Sequence, residues 1–299
     1  MAKSQCCSKF FRGKLYDRMA EDLHLGGMSE RTHAGYLRAV RQLAEYCRTA
    51  PDKITENQLR RYFLFLKNEK KFAYGSLRVA FSGIKFFYTR TCKRNWQTLA
   101  QMKLQNVKSL PEVLTIRQVH QIIEAATTQR MAVYFWTVYS LGLRMQEGLN
   151  LQVGDIDSSR MMVHVHRGKG AKDRYVPLPT STLHGLRQYW VTHRHRRLLF
   201  PADGRNHKGT STAKTPMSPT AAQGAMKKIT GQIDFGKKVS LHTLRHSYGT
   251  HLLEAGVSLK AIQKYMGHSS LQTTMVYLHL TETAEASARQ TIEKLFRRK

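Results

Sequence analysis

The chain has 299 residues, enough for one large domain or two ordinary ones, and 41% of them are hydrophobic, which supports a real core. Lys and Arg total 49 against 20 acidic residues, a formal net charge of +29. A compact protein with that imbalance repels itself unless a polyanion is its usual partner, and no stretch approaches the roughly 20 apolar residues of a membrane span.

The charge is not a tail. Residues 1–110 carry 22 basic and 8 acidic side chains, and residues 111–299 carry 27 and 12. Two equally basic halves point to two surfaces on one polyanion; a generally sticky basic protein would show the same balance. The four cysteines, Cys6, Cys7, Cys47 and Cys92, form no CxxC pair and read as reduced thiols of a cytoplasmic protein. The basic N-terminus lacks the apolar run of a signal peptide.

In chain order, residues 10–91 read as a small helical bundle. Ser29 caps a helix through Cys47, with Tyr36, Val40, Leu43 and Cys47 on one stripe. Thr55 caps the next, where Leu59, Tyr62, Phe63 and Leu66 recur at helical spacing. A third run carries Leu77, Phe81, Ile84 and Tyr88, with Arg78, Lys85 and Arg90 on its other face. Residues 93–114 break the pattern and read as a basic linker, in which Pro111 stops any helix.

Thr115 and Gln118 form a capping box that opens a new helix, and 129–141 is an almost wholly apolar one. Residues 161–166 and 174–178 read as two strands joined by the glycine-flanked turn Gly168-Lys169-Gly170. Helices are expected at 181–195, 219–230, 242–255, 258–266, 270–278 and 282–297, with an exposed loop over 202–216. The last helix has an apolar face of Ala284, Ala288, Ile292, Leu295 and Phe296, which fits its own domain or a neighbouring copy equally well.

Chemistry concentrates near the C-terminus. On a helix, His242, Arg245 and His246 share a face. The i, i+4 histidines fit zinc poorly, because Arg245 would repel a cation and the glutamate of HExxH is absent. They fit a phosphate well: arginine offers a planar fork to two oxygens, and histidine donates or accepts a proton. Lys169 on a hairpin tip could protonate a leaving oxygen or be a solvated turn, and no P-loop spacing surrounds it. Arg144 ends an apolar helix, where a charge must be paired or functional; Glu147, three residues on, could hold its guanidinium. Tyr277 by itself reads as a packed tyrosine.

Taken in order, Arg144, Lys169, His242-x-x-Arg245, His268 and Tyr277 resemble the motif set of the tyrosine recombinases, or phage integrase family. The neighbours agree: Gly142-Leu143, Glu147, Lys172, Arg174, Gly267 and Thr273-Thr274. Gln146, Gly249 and Met266 depart from the commonest family text, and Gly249 inside a helix is expected to cost about 1 kcal/mol relative to alanine.

The resemblance implies a mainly α fold with a small β-sheet in two domains. These are a helical, SAM-like core-binding domain over 10–92 and a mixed α/β catalytic domain over 115–299, joined by the linker 93–114. It implies a site-specific recombinase that acts on double-stranded DNA, assembles as a homo-tetramer on two sites, and comes from a mobile element or is Xer-like. Tyr277 would be the nucleophile, Arg144 and Arg245 the phosphate ligands, Lys169 the acid for the leaving oxygen, His242 a proton-transfer partner and His268 a phosphate hydrogen-bond donor. Neither metal nor other cofactor is implied. The rivals are an inactive DNA-binding regulator of the same fold and a type IB topoisomerase.

Overall fold

Helical spacing in the first hundred residues becomes a bundle because its stripes converge. The computed structural model describes residues 9–104, 110–166, 173–203 and 209–280, with the side chains of residues 279 and 280 left aside. It divides into two compact units, Met1–Lys108 and Ser109–Lys299.

The first unit contains α1 (Lys14–Leu25), α2 (Glu30–Cys47), α3 (Glu56–Asn68), α4 (Tyr74–Phe86) and α5 (Gln97–Gln101). Ser29 Oγ accepts from the Thr32 amide at 3.3 Å, and Thr55 and Gln58 close a reciprocal capping box. The predicted stripes are the core: Val40, Leu43, Leu59 and Ile84 are fully buried. Arg78, Lys85 and Arg90 lie exposed on the other side.

After α4 the chain widens into a π-helical turn over Phe87–Thr91. That extra residue per turn buries Phe87 and Tyr88 side by side, and the Tyr88 hydroxyl donates to the Pro51 carbonyl at 2.7 Å.

The expected linker 93–114 needs correction. Leu99 on α5 is buried in the first core, and Trp96, Met102 and Leu104 pack against it. The Thr98 amide donates to Glu56 at 2.6 Å. The segment looks irregular because its apolar residues are too few to show a period, yet Trp96, Leu99, Met102 and Leu104 all join the first core.

The second unit is built from α6 (Ile116–Glu124), α7 (Gln129–Ser140), α8 (Met145–Leu149), β1 (Ile156–Asp157), β2 (Met162–Val165), β3 (Arg174–Pro177), α9 (Thr180–His193), α10 (Pro219–Gln232), α11 (Leu241–Glu254), α12 (Leu259–Met266) and α13 (Leu271–Met275). A 3-10 turn, Val276–Leu280, follows. The predicted Thr115–Gln118 capping box is present.

The strands form one antiparallel sheet in the order β1-β2-β3, with Val163 opposite Val176 and His164 opposite Tyr175. Val163, Val165 and Val176 turn inward onto the helical core, so the opposite face carries His164 and Tyr175. The chain is therefore mainly α with a small sheet. β1 and α8 were unread in the sequence because two and five residues are too short for periodicity. The predicted 270–278 helix is instead α13 followed by the tighter 3-10 turn. The predicted turn 168–170 and helix 282–297 lie outside the described residues.

Helix α2 approaches α4 closely at Gly83, where an added Cβ would stand 2.8 Å from the Tyr36 Cα. Gly83→Ala must push backbone rather than a mobile side chain. It is expected to destabilise the first unit by about 1–3 kcal/mol. Urea unfolding of the full chain checks this; unchanged or raised stability would mean that the helices separate at no cost.

Candidate active site

The site is organised on a single carboxylate. Glu147 lies on α8 with its side chain only 6% exposed. Its Oε2 accepts from the Arg144 amide at 2.8 Å, and its Oε1 accepts from Arg144 Nη1 at 2.6 Å. Arg174, from β3, grips both oxygens, Nη1 to Oε1 at 3.0 Å and Nη2 to Oε2 at 2.7 Å. Arg245 Nη1, from α11, stands 3.8 Å from Oε2. Burial alone would raise the carboxyl's pKa, but the hydrogen bonds and charge of Arg174, then those of Arg144, pull it down to about 2.

The same three arginines meet the C-terminal end of α12. Arg174 Nε donates to the Tyr265 carbonyl at 2.7 Å, Arg245 Nη2 to that of Met266, and Arg144 Nη2 to that of Gly267 at 3.0 Å. Helix-end carbonyls lack intrahelical partners and carry the negative end of the helix dipole, so they suit cations. Gly267 caps α12 in the left-handed region at φ 61°, and a Cβ there would lie 3.0 Å from Arg174 Cδ. Arg245 also donates to the Gly142 carbonyl.

Three guanidiniums thus share one carboxylate, which leaves two positive charges uncompensated within the cluster. Burial, with the charge of Arg144, lowers even Arg245 to about 10. The nearby imidazoles stay neutral. Burial and the charges of Arg245 and Arg144 push His268 down to about 3. His246 falls to about 4, through burial, His242 and Arg245. His242 keeps an edge open to solvent, yet crowding by its neighbours and the charges of Arg245 and Arg144 lower it too. An anion is what such a cluster lacks.

Tyr277 sits in a pocket of Tyr248, Ile262 and Met266 and is 1% exposed. Its hydroxyl lies 3.1 Å from His246 Nδ1. A neutral imidazole protonated on Nε2 accepts the phenolic proton there. The His268 ring is parallel to the tyrosine, with centroids 6.3 Å apart, and its Nδ1 meets Thr274 Oγ1 at 2.9 Å. Burial raises the phenol to about 12 against the lowering charges of Arg245 and Arg144.

The structure brings Arg144, Arg245, His242, His268 and Tyr277 into one region. Lys169 lies outside the described residues. The sequence reading missed three participants. Arg174 shares the inward-facing alternation of β3 with Val176, and a buried arginine at that position was the available signal. His246 was read for the Arg-His face of α11 but not as the tyrosine's partner. Gly249 was read as a weak point in α11. Instead, a Cβ there would meet the Tyr277 ring at 2.8 Å and Met266 Sδ at 2.9 Å, so the glycine makes room for the tyrosine.

Comparison with known proteins identifies the family. Residues 112–284 match the phage integrase family, and residues 15–98 match the N-terminal SAM-like domain of phage integrases. A Sinorhizobium fredii protein, y4qK, integrase/recombinase by name, is 36% identical over 267 residues, 89% of this chain and 84% of its own length. The tyrosine recombinase XerA of Pyrococcus horikoshii is 30% identical over 290 residues, 94% of this chain and 93% of its own. Among solved structures, the Tn1549 transposon integrase with transposon right end DNA has a TM-score of 0.70 at 19% identity. That match covers 94% of this chain and 99% of the other, and it is a likeness of fold.

Two expectations follow from the geometry. Glu147→Gln leaves three arginines without their counter-charge and should cost about 3–5 kcal/mol. Because the folded carboxyl's pKa is lowered from 4.5 to about 2, its stabilisation is full above pH 4.5 and is lost as the pH falls towards 2. Thermal melts across that window check both. Inorganic phosphate should raise the variant's Tm more than the wild type's, and an equal rise would count against an anion-deficient cluster. Gly249→Ala should lose about 1 kcal/mol, a Tm fall of roughly 2–4 °C, because overpacking outweighs helix propensity. In a double-mutant cycle that loss should vanish beside Tyr277→Ala. A more stable Gly249→Ala protein would refute the fit.

Proposed function

The chain belongs to the phage integrase family, and from that premise we propose that it is a tyrosine-type site-specific DNA recombinase using Tyr277 as nucleophile. The observation that carries the reading is the anion-deficient arginine cluster beside a tyrosine whose hydroxyl already has a proton acceptor.

In this mechanism the scissile phosphate supplies the missing negative charge. Arg144 and Arg245 bind its non-bridging oxygens and stabilise the charge that grows there in the transition state. Tyr277 Oη attacks phosphorus while its proton passes to a neighbouring imidazole; His246 holds the hydroxyl in the resting protomer, and His242 stands one turn away. Their rings lie 5.0 Å apart. Lys169 protonates the departing 5′-oxygen, and His268 hydrogen-bonds the phosphate. The P–O bond to the 5′-oxygen breaks as the phosphotyrosyl bond forms. The products are a 3′-phosphotyrosyl strand and a free 5′-hydroxyl, and the bond energy is kept in the covalent link. A 5′-hydroxyl from the partner duplex reverses the step. Four protomers on two duplexes complete the exchange, in the cytoplasm of the host of a mobile element or as an Xer-like resolvase.

Tyr277 is sealed from solvent in this pose, so a phosphate cannot meet its hydroxyl until the pocket opens. The resting protomer therefore holds the nucleophile in reserve. Among the described residues, the groups offered to the phosphate are guanidiniums and imidazoles, and Glu147 is already committed to arginines. The chemistry is accordingly expected to run without magnesium.

On a nicked suicide substrate, wild-type protein should form a covalent adduct on a denaturing gel in excess EDTA and without nucleotide. Tyr277→Phe should form none while binding DNA almost unchanged, since one buried hydroxyl contributes little to a charge-driven interface. A normal adduct from Tyr277→Phe removes the tyrosine from its role. Joining of two duplex sites separates a recombinase from an enzyme that only relaxes supercoils.

A further inference from the structure

We propose that the outward face of the β2–β3 hairpin is a binding site for a zinc-like transition-metal ion, held by His164, His166 and Asp173. The inference concerns residues that the strand-transfer chemistry does not use.

The convergence follows from strand geometry. In the antiparallel register of β2 and β3, His164 stands opposite Tyr175, and Val165 opposite Arg174. One step further along the same ladder sets His166 against Asp173. The inward positions are the buried Val163, Val165, Arg174 and Val176, so the pleat turns His164, His166, Asp173 and Tyr175 to the opposite face. One nitrogen from each imidazole and one Asp173 oxygen fall within 4.8 Å of one another.

The distances suit a metal cage better than a tight charge-assisted hydrogen bond. A charge-assisted hydrogen bond would bring nitrogen and oxygen to about 2.7–2.9 Å. Asp173 Oδ2 stands 3.3 Å from His164 Nε2 and 3.6 Å from His166 Nδ1. Ligands about 2.0–2.2 Å from a tetrahedral zinc ion are roughly 3.3 Å from each other, and the two nitrogen–oxygen edges lie close to that spacing.

Both rings are held from behind. His164 stacks on Tyr175 with centroids 4.6 Å apart and planes 11° from parallel. His166 Nε2 meets Asp155 Oδ1 at 2.7 Å. The Asp155 side chain is only 7% exposed, and its other oxygen accepts from the Gln152 amide at 2.8 Å. A carboxylate fixed in this way keeps the proton on Nε2 and leaves Nδ1, on the Asp173 side, as the unprotonated nitrogen. That carboxylate–histidine relay is the usual support of a metal-bound imidazole. Two imidazoles and one carboxylate select zinc and its neighbours over magnesium or calcium, which prefer oxygen throughout.

The six residues between His166 and Asp173 include Lys169. An ion bound to both would tie together the two ends of the segment that carries the proposed acid. It would act on the anchorage of that segment and take no part in strand transfer, so cleavage in EDTA and zinc binding are compatible.

The test uses the full chain without a histidine tag, stripped with chelator and dialysed. Zinc is titrated by calorimetry and in competition with a chromophoric chelator. One equivalent should bind. His164→Ala and His166→Ala should each weaken it by well over tenfold, and Asp155→Asn by roughly tenfold through the lost relay. Excess Mg²⁺ should not displace it. Apo-protein melts matching the wild type show that the variants fold. The X-ray absorption spectrum of the zinc-loaded wild type, which needs no variant, should read two imidazoles. Unchanged affinity in both histidine variants overturns the site, as does a spectrum dominated by sulfur or by a single imidazole.

Discussion

A buried carboxylate that must serve three arginines is the constraint around which the catalytic unit is arranged. Glu147 cannot neutralise Arg144, Arg174 and Arg245 by itself, and it does not. The remainder of their hydrogen bonding goes to backbone carbonyls, three of them consecutive at the end of α12. Carbonyls satisfy N–H donors without cancelling charge. The arginines are therefore fixed in direction yet remain electrostatically hungry, which is what a phosphate cradle requires before its ligand arrives. Exchanging Glu147 for an apolar residue could not reproduce this, because the arginines would lose both orientation and counter-charge.

The same helix end connects the arginine cluster to Tyr277. Met266 gives its carbonyl to Arg245 and its side chain to the pocket of Tyr277. Gly267 lets Arg174 approach, and His268 follows at once, with its ring parallel to the tyrosine. On α11, Arg245 faces the cradle, His246 holds the hydroxyl, and Gly249, one turn further on, leaves space for the ring. α11 and the end of α12 thus hold the arginine cluster and the pocket of Tyr277 together. A displacement of α12 would be felt by both, which is a physical reason for the dense motif between residues 242 and 277.

Much of this was legible in the sequence, for identifiable reasons. The cap at Thr55 and the capping box at Thr115 are legible because they are local, side chain to nearby amide. The stripes of α2 and α3 are legible because amphipathic periods survive tertiary context, and α7 is legible as an almost wholly apolar run. What escaped was non-local or short. Arg174 and Glu147 are 27 residues apart, and no spacing rule joins them. Gly249 was misread because helix propensity describes a solvated helix, whereas this position faces a buried ring 28 residues away. α5 was taken for linker because its one buried side chain, Leu99, makes no pattern alone. The predicted role of Lys169 depends on a segment outside the described residues.

The charge of the whole chain and the charge of the site belong to the same thermodynamic argument. Each half of the sequence is basic, and the buried cluster repeats that imbalance where water screens it least. A fold that holds uncompensated guanidiniums stores repulsion, and any polyanion that binds only the folded state relieves it. By linkage, the free energy of binding the ligand then adds to the free energy of folding. Tyr248, Ile262 and Met266 cover Tyr277 beside the arginine cluster. Occupation of the cradle changes the charge that Arg144 and Arg245 project onto the phenol. A phosphate that satisfies the arginines weakens their acidifying effect on the tyrosine, so its arrival cannot by itself ionise the proposed nucleophile. Deprotonation must come from a group that takes the proton directly, and in the resting protomer the acceptor at the hydroxyl is His246.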